Sequence, residues 1–146
     1  MDKITEGHRS WNMKRIKSKD TKPELFIRHE LWHMGIRYKK NAPSIFGRPD
    51  IYVPKYRCAV FVHGCFWHRH PDCKYAYLPK SRIEFWQKKF KTNIERDQIV
   101  RETLTEQDIR VIIIWECTVE RAAKDNSIVE EIYDEIVKGK DSYSEF

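Results

Sequence analysis

The chain has 146 residues, a length that suits one domain of ordinary size. Its hydrophobic residues make up 40% of the total, too many for a disordered protein, and no apolar run approaches the roughly 20 residues of a membrane span. The 28 Lys and Arg outnumber the 22 Asp and Glu, and the resulting net charge of +6 favours an acidic partner, of which nucleic acid is the commonest.

The N-terminal segment and the cysteines bear on the compartment. Residues 1–6 are polar and mixed in charge, unlike a signal peptide, so we expect a cytoplasmic protein. Disulfides are rare in that compartment. A cysteine that lies near histidine is therefore better explained by metal binding. The four cysteines are Cys58, Cys65, Cys73 and Cys117.

The first third of the chain predicts an arm, a helix and a loop. Residues 1–20 show no clear periodicity and are rich in Lys and Arg, so we interpret them as a basic arm. The motif Thr21-Lys22-Pro23-Glu24 is typical of a capped helix start, and the helix should continue to about Met34, before Gly35. Residues 36–38 fit a short strand and residues 41–49 a loop.

The rest of the chain alternates strands and helices. Three apolar runs fit strands: residues 51–53, 57–63 and 110–115. Residues 64–80 lack periodicity. A second capping motif, Ser81-Arg82-Ile83-Glu84, precedes a long amphipathic pattern, and Ser127 opens a last helix that reaches about Lys138. This order predicts a mixed α/β sheet flanked by helices.

Three residues of the aperiodic segment have spacing that suits a metal. Cys65, His70 and Cys73 form C-x4-H-x2-C, and Cys117 follows the strongest predicted strand. Cys65 also follows a strand, so neighbouring strands would bring these two cysteines together. Zinc prefers four such ligands in a tetrahedron. The alternative is buried free cysteines, and we assign Cys58, early in its strand, to the core.

A carboxylate and two histidines point to a second kind of site. Asp50 leads into a strand, and magnesium prefers oxygen ligands and usually takes only one or two carboxylates. The alternative is that Asp50 caps a turn beside Pro49. His68 is a candidate general base because histidine titrates near neutral pH. His63 is a second polar group at a strand end.

Two more carboxylates lie on the apolar faces of predicted helices. Glu24 shares its face with aliphatic residues, although its alternative role is the reciprocal cap of the first helix. Asp97 falls on the apolar stripe of the long helix and needs a partner there, such as a site histidine. The alternative for Asp97 is an ion pair with Arg96 or Arg101 at the edge of the stripe.

Several segments together resemble the very-short-patch repair endonucleases. The resemblance covers roughly residues 8–120 in the same order, and the stretch from His63 to His68 is its most specific part. The segments are Asn12-Met13-Lys14-Arg15-Ile16, Asp20-Thr21, Gly47-Arg48-Pro49-Asp50, Phe61-Val62-His63-Gly64-Cys65-Phe66-Trp67-His68, Glu84-Phe85-Trp86, Asn93-Ile94-Glu95-Arg96-Asp97 and Val111-Ile112-Ile113-Ile114-Trp115-Glu116-Cys117.

The resemblance implies a fold and an activity. The fold would be restriction-endonuclease-like, a mixed sheet flanked by helices with a structural zinc site, in which residues 1–20 form the arm and residues 21–146 a single endonuclease domain. The enzyme would use Mg²⁺ to nick the thymine strand, on the 5′ side, of a T:G mismatch left by deaminated 5-methylcytosine. Other mismatch-repair proteins would be further partners, the protein would associate with the nucleoid and no membrane, and a monomer would suit single-strand nicking.

The resemblance also implies residue roles. Asp50 and the backbone carbonyl of Val62 would bind magnesium, and His68 would be the general base, oriented by Asp97. Glu24 and His63 would support the site. Zinc would be held by Cys65, His70, Cys73 and Cys117. Phe66, Trp67 and Trp86 would wedge into the major-groove side of the mismatch, and Met13 and Ile16 would enter the minor groove.

This chain departs from the family pattern at two places. The family often has threonine at the position of Val62, a change that leaves a backbone carbonyl ligand intact. The interval from His70 to Cys73 is one residue longer, which leaves His68 as an alternative histidine ligand of zinc. Two other functions stay open. One is a nuclease of the same fold with another target, such as a restriction enzyme, and the other is a zinc-stabilised duplex-binding module without catalysis.

Overall fold

The structure, a computed structural model, describes residues 20–146. Helix α1 spans Lys22–His33, as predicted, and begins where the Thr21 hydroxyl accepts a hydrogen bond from the backbone N–H of Glu24. It ends at Met34, because Gly35 takes a φ of +95° that other residues rarely adopt. Glu24 is buried, and its carboxylate accepts from the N–H of Asp20 rather than closing the capping motif on Thr21.

Five strands form one mixed sheet in the described chain, with neighbours in sequence order. The pairs β1–β2 and β2–β3 are antiparallel, whereas β3–β4 and β4–β5 are parallel. In the central parallel pair, Val62 lies opposite Ile114 and His63 opposite Trp115. The strands are β1 (Lys39–Lys40), β2 (Ile51–Val53), β3 (Cys58–His63), β4 (Arg110–Trp115) and β5 (Tyr143–Glu145).

Helices cover both faces of the sheet, which is why its central strands read as continuous apolar runs. On one face α1, α3 (Glu116–Ala122) and α4 (Asn126–Lys138) pack on alternate strand residues such as Val60 and Ile112. On the other face α2 (Ile83–Glu106) packs Leu104 on Phe61 and Val111. The α/β class with a mixed sheet flanked by helices is therefore confirmed.

Some predicted boundaries are wrong. Residues 36–38 form no strand. The N–H of Ile36 donates to the Leu31 carbonyl and its side chain is buried in the core, so strand pairing starts only at Lys39. Helix α2 begins at Ile83 after Arg82, which has a left-handed φ of 54° and makes no side-chain cap, so the Ser81 capping motif does not operate.

Two elements were not predicted at all. Helix α3 starts directly after β4 and has only seven residues, too few to show a helical periodicity in the sequence. Strand β5 has no apolar pattern and exists through its parallel pairing with β4. No helix in residues 20–146 has both the length and the apolarity to cross a membrane.

Candidate active site and metal centre

Asp50 lies in a cleft between the sheet and α2. It immediately precedes β2, and its Oδ2 accepts a hydrogen bond of 2.7 Å from the N–H of Val62 in β3. Burial raises the pKa of Asp50 to about 7; the hydrogen bond from Val62 opposes this shift and the nearby Glu24 carboxylate adds to it. The loop before Asp50 lies close against α2. A Cβ added to Gly47 would fall only 2.5 Å from the side chain of Val100.

His68 and Asp97 form a hydrogen-bonded pair in the same cleft. The Nδ1 of His68 lies 2.7 Å from Oδ2 of Asp97, and both side chains are partly exposed. A turn after β3 places His68, whose N–H donates to the Gly64 carbonyl, while Asp97 projects from α2. The carboxylate favours the tautomer with the proton on Nδ1, which leaves Nε2 free to accept a proton.

The ring of His63 is stacked on that of His68. The ring centroids lie 3.8 Å apart and the planes are within 6° of parallel. Burial lowers the pKa of His63 to about 3, with the neighbouring His68 acting in the same direction, so His63 is neutral. A metal ion bound to an imidazole nitrogen lies near the plane of that ring. One ion cannot lie near the planes of two parallel rings that are stacked on each other. The His63–His68–Asp97 group is therefore suited to proton transfer rather than to a shared metal.

The predicted zinc ligands converge at one end of the β3–β4 pair. The ligand atoms of Cys65, His70, Cys73 and Cys117 all lie within 4.8 Å of one another, and Cys117 Sγ is 3.4 Å from His70 Nδ1. Burial raises the pKa of the Cys65 thiol to about 12, and a bound cation would supply the positive charge that favours the thiolate. Three thiols and one imidazole are the donor set that zinc prefers, so these residues fit a structural zinc ion.

The two remaining candidate residues, Cys58 and His68, are not part of this ligand cluster. Cys58 is fully buried in the core on the face covered by α1 and α4. His68, the alternative histidine for the cysteine cluster, is engaged with His63 and Asp97 instead. Within the interval from His70 to Cys73, Asp72 has a left-handed φ of 55°.

Trp115 lies between the cysteine cluster and the histidine pair. Its ring stacks on His70 at 4.3 Å between centroids, and His63 packs on it in an edge contact at 5.4 Å. The indole N–H donates to a carboxylate oxygen of Glu145 in β5 at 3.0 Å. Trp115 is buried at the end of β4, and the register of the sheet places it between the two sites.

The three predicted wedge aromatics of the described chain form one cluster. Phe66 contacts both Trp67 and Trp86, with ring centroids 5.2 and 5.5 Å apart. Trp67 is 38% exposed, and its carbonyl accepts a hydrogen bond from the buried amide of Asn93 in α2. The other two predicted DNA contacts, Met13 and Ile16, lie outside the described residues.

Sequence reasoning missed several residues that line or support the cleft. Arg28 is buried in α1 and donates to the Glu24 carboxylate and to the backbone carbonyl of Asp50. The i,i+4 spacing of Glu24 and Arg28 was the available signal. Exposed guanidinium groups also line the cleft, from Arg48, Arg96 and Arg101.

The chain is similar to known DNA-cleaving proteins. A family model described as DNA mismatch endonuclease Vsr matches residues 1–75. The chain is 42% identical over 140 residues to the type II nicking enzyme V.NmeAIP of Neisseria meningitidis, covering 92% of this chain and 99% of that protein. It is 42% identical over 116 residues to the DNA mismatch endonuclease Vsr of Escherichia coli, covering 80% of this chain and 72% of that protein. It is 38% identical over 116 residues to the type II nicking enzyme V.XorIIP of Xanthomonas oryzae, covering 80% of this chain and 85% of that protein.

Proposed function

The chain belongs to the Vsr family of DNA mismatch endonucleases and is a DNA endonuclease, and we propose that it nicks the thymine strand on the 5′ side of a T:G mismatch. The observation that carries the proposal is one cleft lined by the His68–Asp97 pair, the Asp50 carboxylate and the exposed ring of Trp67. Those are a proton acceptor, a cation ligand and a surface for DNA bases, the parts that metal-assisted cleavage of DNA needs.

His68 is the proposed general base. Its Nε2 would accept a proton from the attacking water as the water oxygen bonds to phosphorus. The bond to one ester oxygen breaks, and the departing oxygen takes up a proton from solvent water. Asp97 would then stabilise the imidazolium through the 2.7 Å contact to Nδ1. His63 stays neutral beside it, so no second positive charge opposes protonation of His68.

Asp50 and Val62 are the proposed magnesium ligands. In the described chain Oδ1 of Asp50 makes no hydrogen bond, whereas Oδ2 is occupied by the Val62 N–H. The N–H and C=O of one strand residue point to the same neighbouring strand, so the Val62 carbonyl also faces the side of Asp50. Magnesium bound there would stabilise negative charge on the phosphate and assist activation of water. Valine at position 62 is sufficient for this role, because a carbonyl ligand comes from the backbone.

Zinc is the proposed structural metal. Cys65 belongs to the turn after β3 and Cys117 to the first turn of α3 after β4, so an ion held by both would join the ends of two parallel strands. Through Trp115 the same ion would help to hold His63 against His68. The convergence of the four ligands at the ends of β3 and β4 supports the proposal of a zinc-stabilised endonuclease domain over residues 21–146 with the restriction-endonuclease-like fold.

DNA recognition is proposed for the aromatic cluster and the basic residues of the cleft. Trp67, backed by Phe66 and Trp86, presents an exposed ring that would wedge beside the mismatch. Guanidinium groups along the cleft suit the phosphate backbone. The proposed minor-groove contacts are Met13 and Ile16 of the arm. Other mismatch-repair proteins are proposed partners, and a monomer suits the cutting of one strand.

The test is nicking of a panel of labelled duplexes in Mg²⁺, comprising T:G mismatches in several flanking sequences and their matched counterparts. We expect a single nick on the 5′ side of the mismatched thymine. Cleavage of matched duplexes in both strands would instead identify a restriction enzyme. Binding without any cleavage would identify a duplex-binding module.

A substitution at the metal ligand completes the test. Asp50→Ala should abolish nicking and retain mismatch binding, because it removes a cation ligand and leaves the aromatic cluster intact. Asp134→Ala, which changes an exposed carboxylate on α4, is the matched control and should nick normally. Full activity of Asp50→Ala would contradict the assignment of the site.

A further inference from the structure

Arg28 joins four groups behind the cleft. Its side chain is only 5% exposed. Nη1 donates to Oδ1 of Asp20 at 2.6 Å, and Nη2 lies 3.2 Å from each of three acceptors: Oε2 of Glu24, Oδ1 of Asn41 and the backbone carbonyl of Asp50. One planar group thus contacts both the residue proposed to bind magnesium and the buried carboxylate beside it.

Stability alone does not account for a charged group at this position. A buried ion pair is often no more stable than apolar residues of the same volume, because both charges lose their hydration. The Nε–H of Arg28 is also buried and has no hydrogen-bond partner within residues 20–146, which adds a desolvation cost. What the guanidinium supplies is fixed geometry, since its N–H groups are held in one rigid plane.

The contacts reach Asp50 by two routes. Directly, Arg28 holds the carbonyl of Asp50, which also accepts from the N–H of Asn41 at 3.2 Å. Indirectly, Arg28 holds Glu24, whose negative charge is felt at the Asp50 carboxylate. The carboxylate of Asp50 is thus anchored by Val62 on one side, and its backbone by Arg28 on the other.

We propose that Arg28 is a positioning residue that holds Asp50 and Glu24 in the arrangement that binds the catalytic cation. The inference rests on the proposed function, because Asp50 is a magnesium ligand only there. The Arg28 side chain is buried and its ion pairs are with Asp20 and Glu24, which suits a positioning role rather than a direct contact with DNA. Asp20 orients Arg28 from the outside, through the ion pair and through its own N–H to Glu24.

The test measures how nicking of a saturating T:G duplex depends on Mg²⁺ concentration in Arg28→Lys, Arg28→Met and Asp20→Asn. In Arg28→Lys we expect the half-saturating Mg²⁺ concentration to rise roughly tenfold, as is usual when a group that orients a metal ligand is lost, with DNA affinity unchanged. Arg28→Met should shift it further, and Asp20→Asn less, because Asn keeps a hydrogen-bond acceptor and loses only the charge. Arg37→Lys is the control, since Arg37 also donates to two carbonyls but lies away from the cleft.

The readouts separate this role from simple loss of folding. Partial unfolding would lower the maximal rate and leave the Mg²⁺ midpoint in place, and that result in Arg28→Lys would overturn the proposal. If Arg28→Met does not fold, Arg28→Lys and Asp20→Asn still decide, because both keep a polar group in the network. Nicking by Asp50→Ala at the normal rate would refute the proposed function, whereas an inactive Asp50→Ala with an unshifted midpoint in Arg28→Lys would refute only the role of Arg28.

Discussion

The imidazole of His63 lies flat on that of His68, with ring centroids 3.8 Å apart. His63 is 8% exposed and closes β3, whereas His68 belongs to the following turn and reaches Asp97 on α2. A buried neutral ring therefore supports the partly exposed ring that is proposed to accept the proton. His68 is held from one side by a hydrogen bond and from its face by a stack.

The stack predicts a graded effect of substitutions at His63. His63→Ala should lower the single-turnover nicking rate roughly 10- to 100-fold, because a general base that can swing out of line loses alignment with the water. His63→Phe should lose less, since it keeps a flat neutral ring against His68. Single-turnover assays at saturating duplex measure both, with His29→Ala, an exposed histidine of α1, as the unaffected control. A rate for His63→Ala equal to that of the parent would show that the stack has no role.

Substitution of Asp50 should stabilise the fold at neutral pH. Burial raises the pKa of Asp50 in the folded state to about 7, above its ordinary value of 3.8, so the folded state holds the carboxyl proton more tightly than the unfolded state. Below pH 4 Asp50 is protonated in both states and does not lower stability. As pH rises above 4, the carboxyl group ionises first in the unfolded state, so stability falls, and the fall is complete once the folded carboxyl group has also ionised, above pH 7. In the absence of Mg²⁺, Asp50→Asn should exceed the parent in free energy of unfolding at pH 8, by on the order of 1 kcal/mol per pKa unit. Denaturant unfolding of both proteins at pH 5 and pH 8 tests this, and an equal difference at the two pH values would contradict it.

The same pKa predicts competition between protons and Mg²⁺. A metal ligand must be deprotonated, and the pKa of Asp50 is about 7, so the half-saturating Mg²⁺ concentration for nicking should fall as pH rises from 5.5 to 7.5. Above pH 8 it should level off. The measurement is a Mg²⁺ titration of the nicking rate at each pH. A midpoint independent of pH across this range would mean that Asp50 is already ionised or binds no cation.

Loss of zinc should lower the stability of the whole domain, because the ion is proposed to be structural. We expect one zinc per chain, and Cys73→Ser should lose it, because a structural site needs all four ligands. The variant should show a lower Tm and sensitivity to chelators. Cys58→Ala is the matched control, since Cys58 lies in the core away from the cluster and should keep the metal. Metal analysis that finds no zinc in the parent protein would refute the assignment.

Loss of the exposed indole should weaken mismatch binding selectively. Stacking of a base on an aromatic side chain contributes about 1–3 kcal/mol, so Trp67→Ala should raise the Kd for a T:G duplex by roughly tenfold or more and change the Kd for matched duplex little. Trp32→Ala removes a similarly exposed tryptophan on α1 and should change neither Kd. Fluorescence anisotropy with both duplexes gives the comparison. An equal loss of affinity for matched and mismatched duplexes would indicate general DNA contact rather than a wedge.

The features of the fold that the sequence predicted correctly are local ones. The start of α1 at Thr21, the two long strands and the α/β class follow from residues within a few positions of one another, whose spacing determines periodicity and capping. The errors arose where a distant partner decided the outcome. Ile36 left its predicted strand for the core, and β5 forms only because β4 lies beside it.

By itself, the sequence determined which chemical groups are present and which lie within one turn or strand of each other, including Cys65, His68 and His70. Only the tertiary structure decided which of these groups meet. The parallel register of β3 and β4 brings Cys117 to Cys65, and the packing of α2 on the sheet brings Asp97 to His68. The physical reason is that local geometry relates neighbours in the chain, whereas distances across the sheet depend on how whole elements bury their apolar faces.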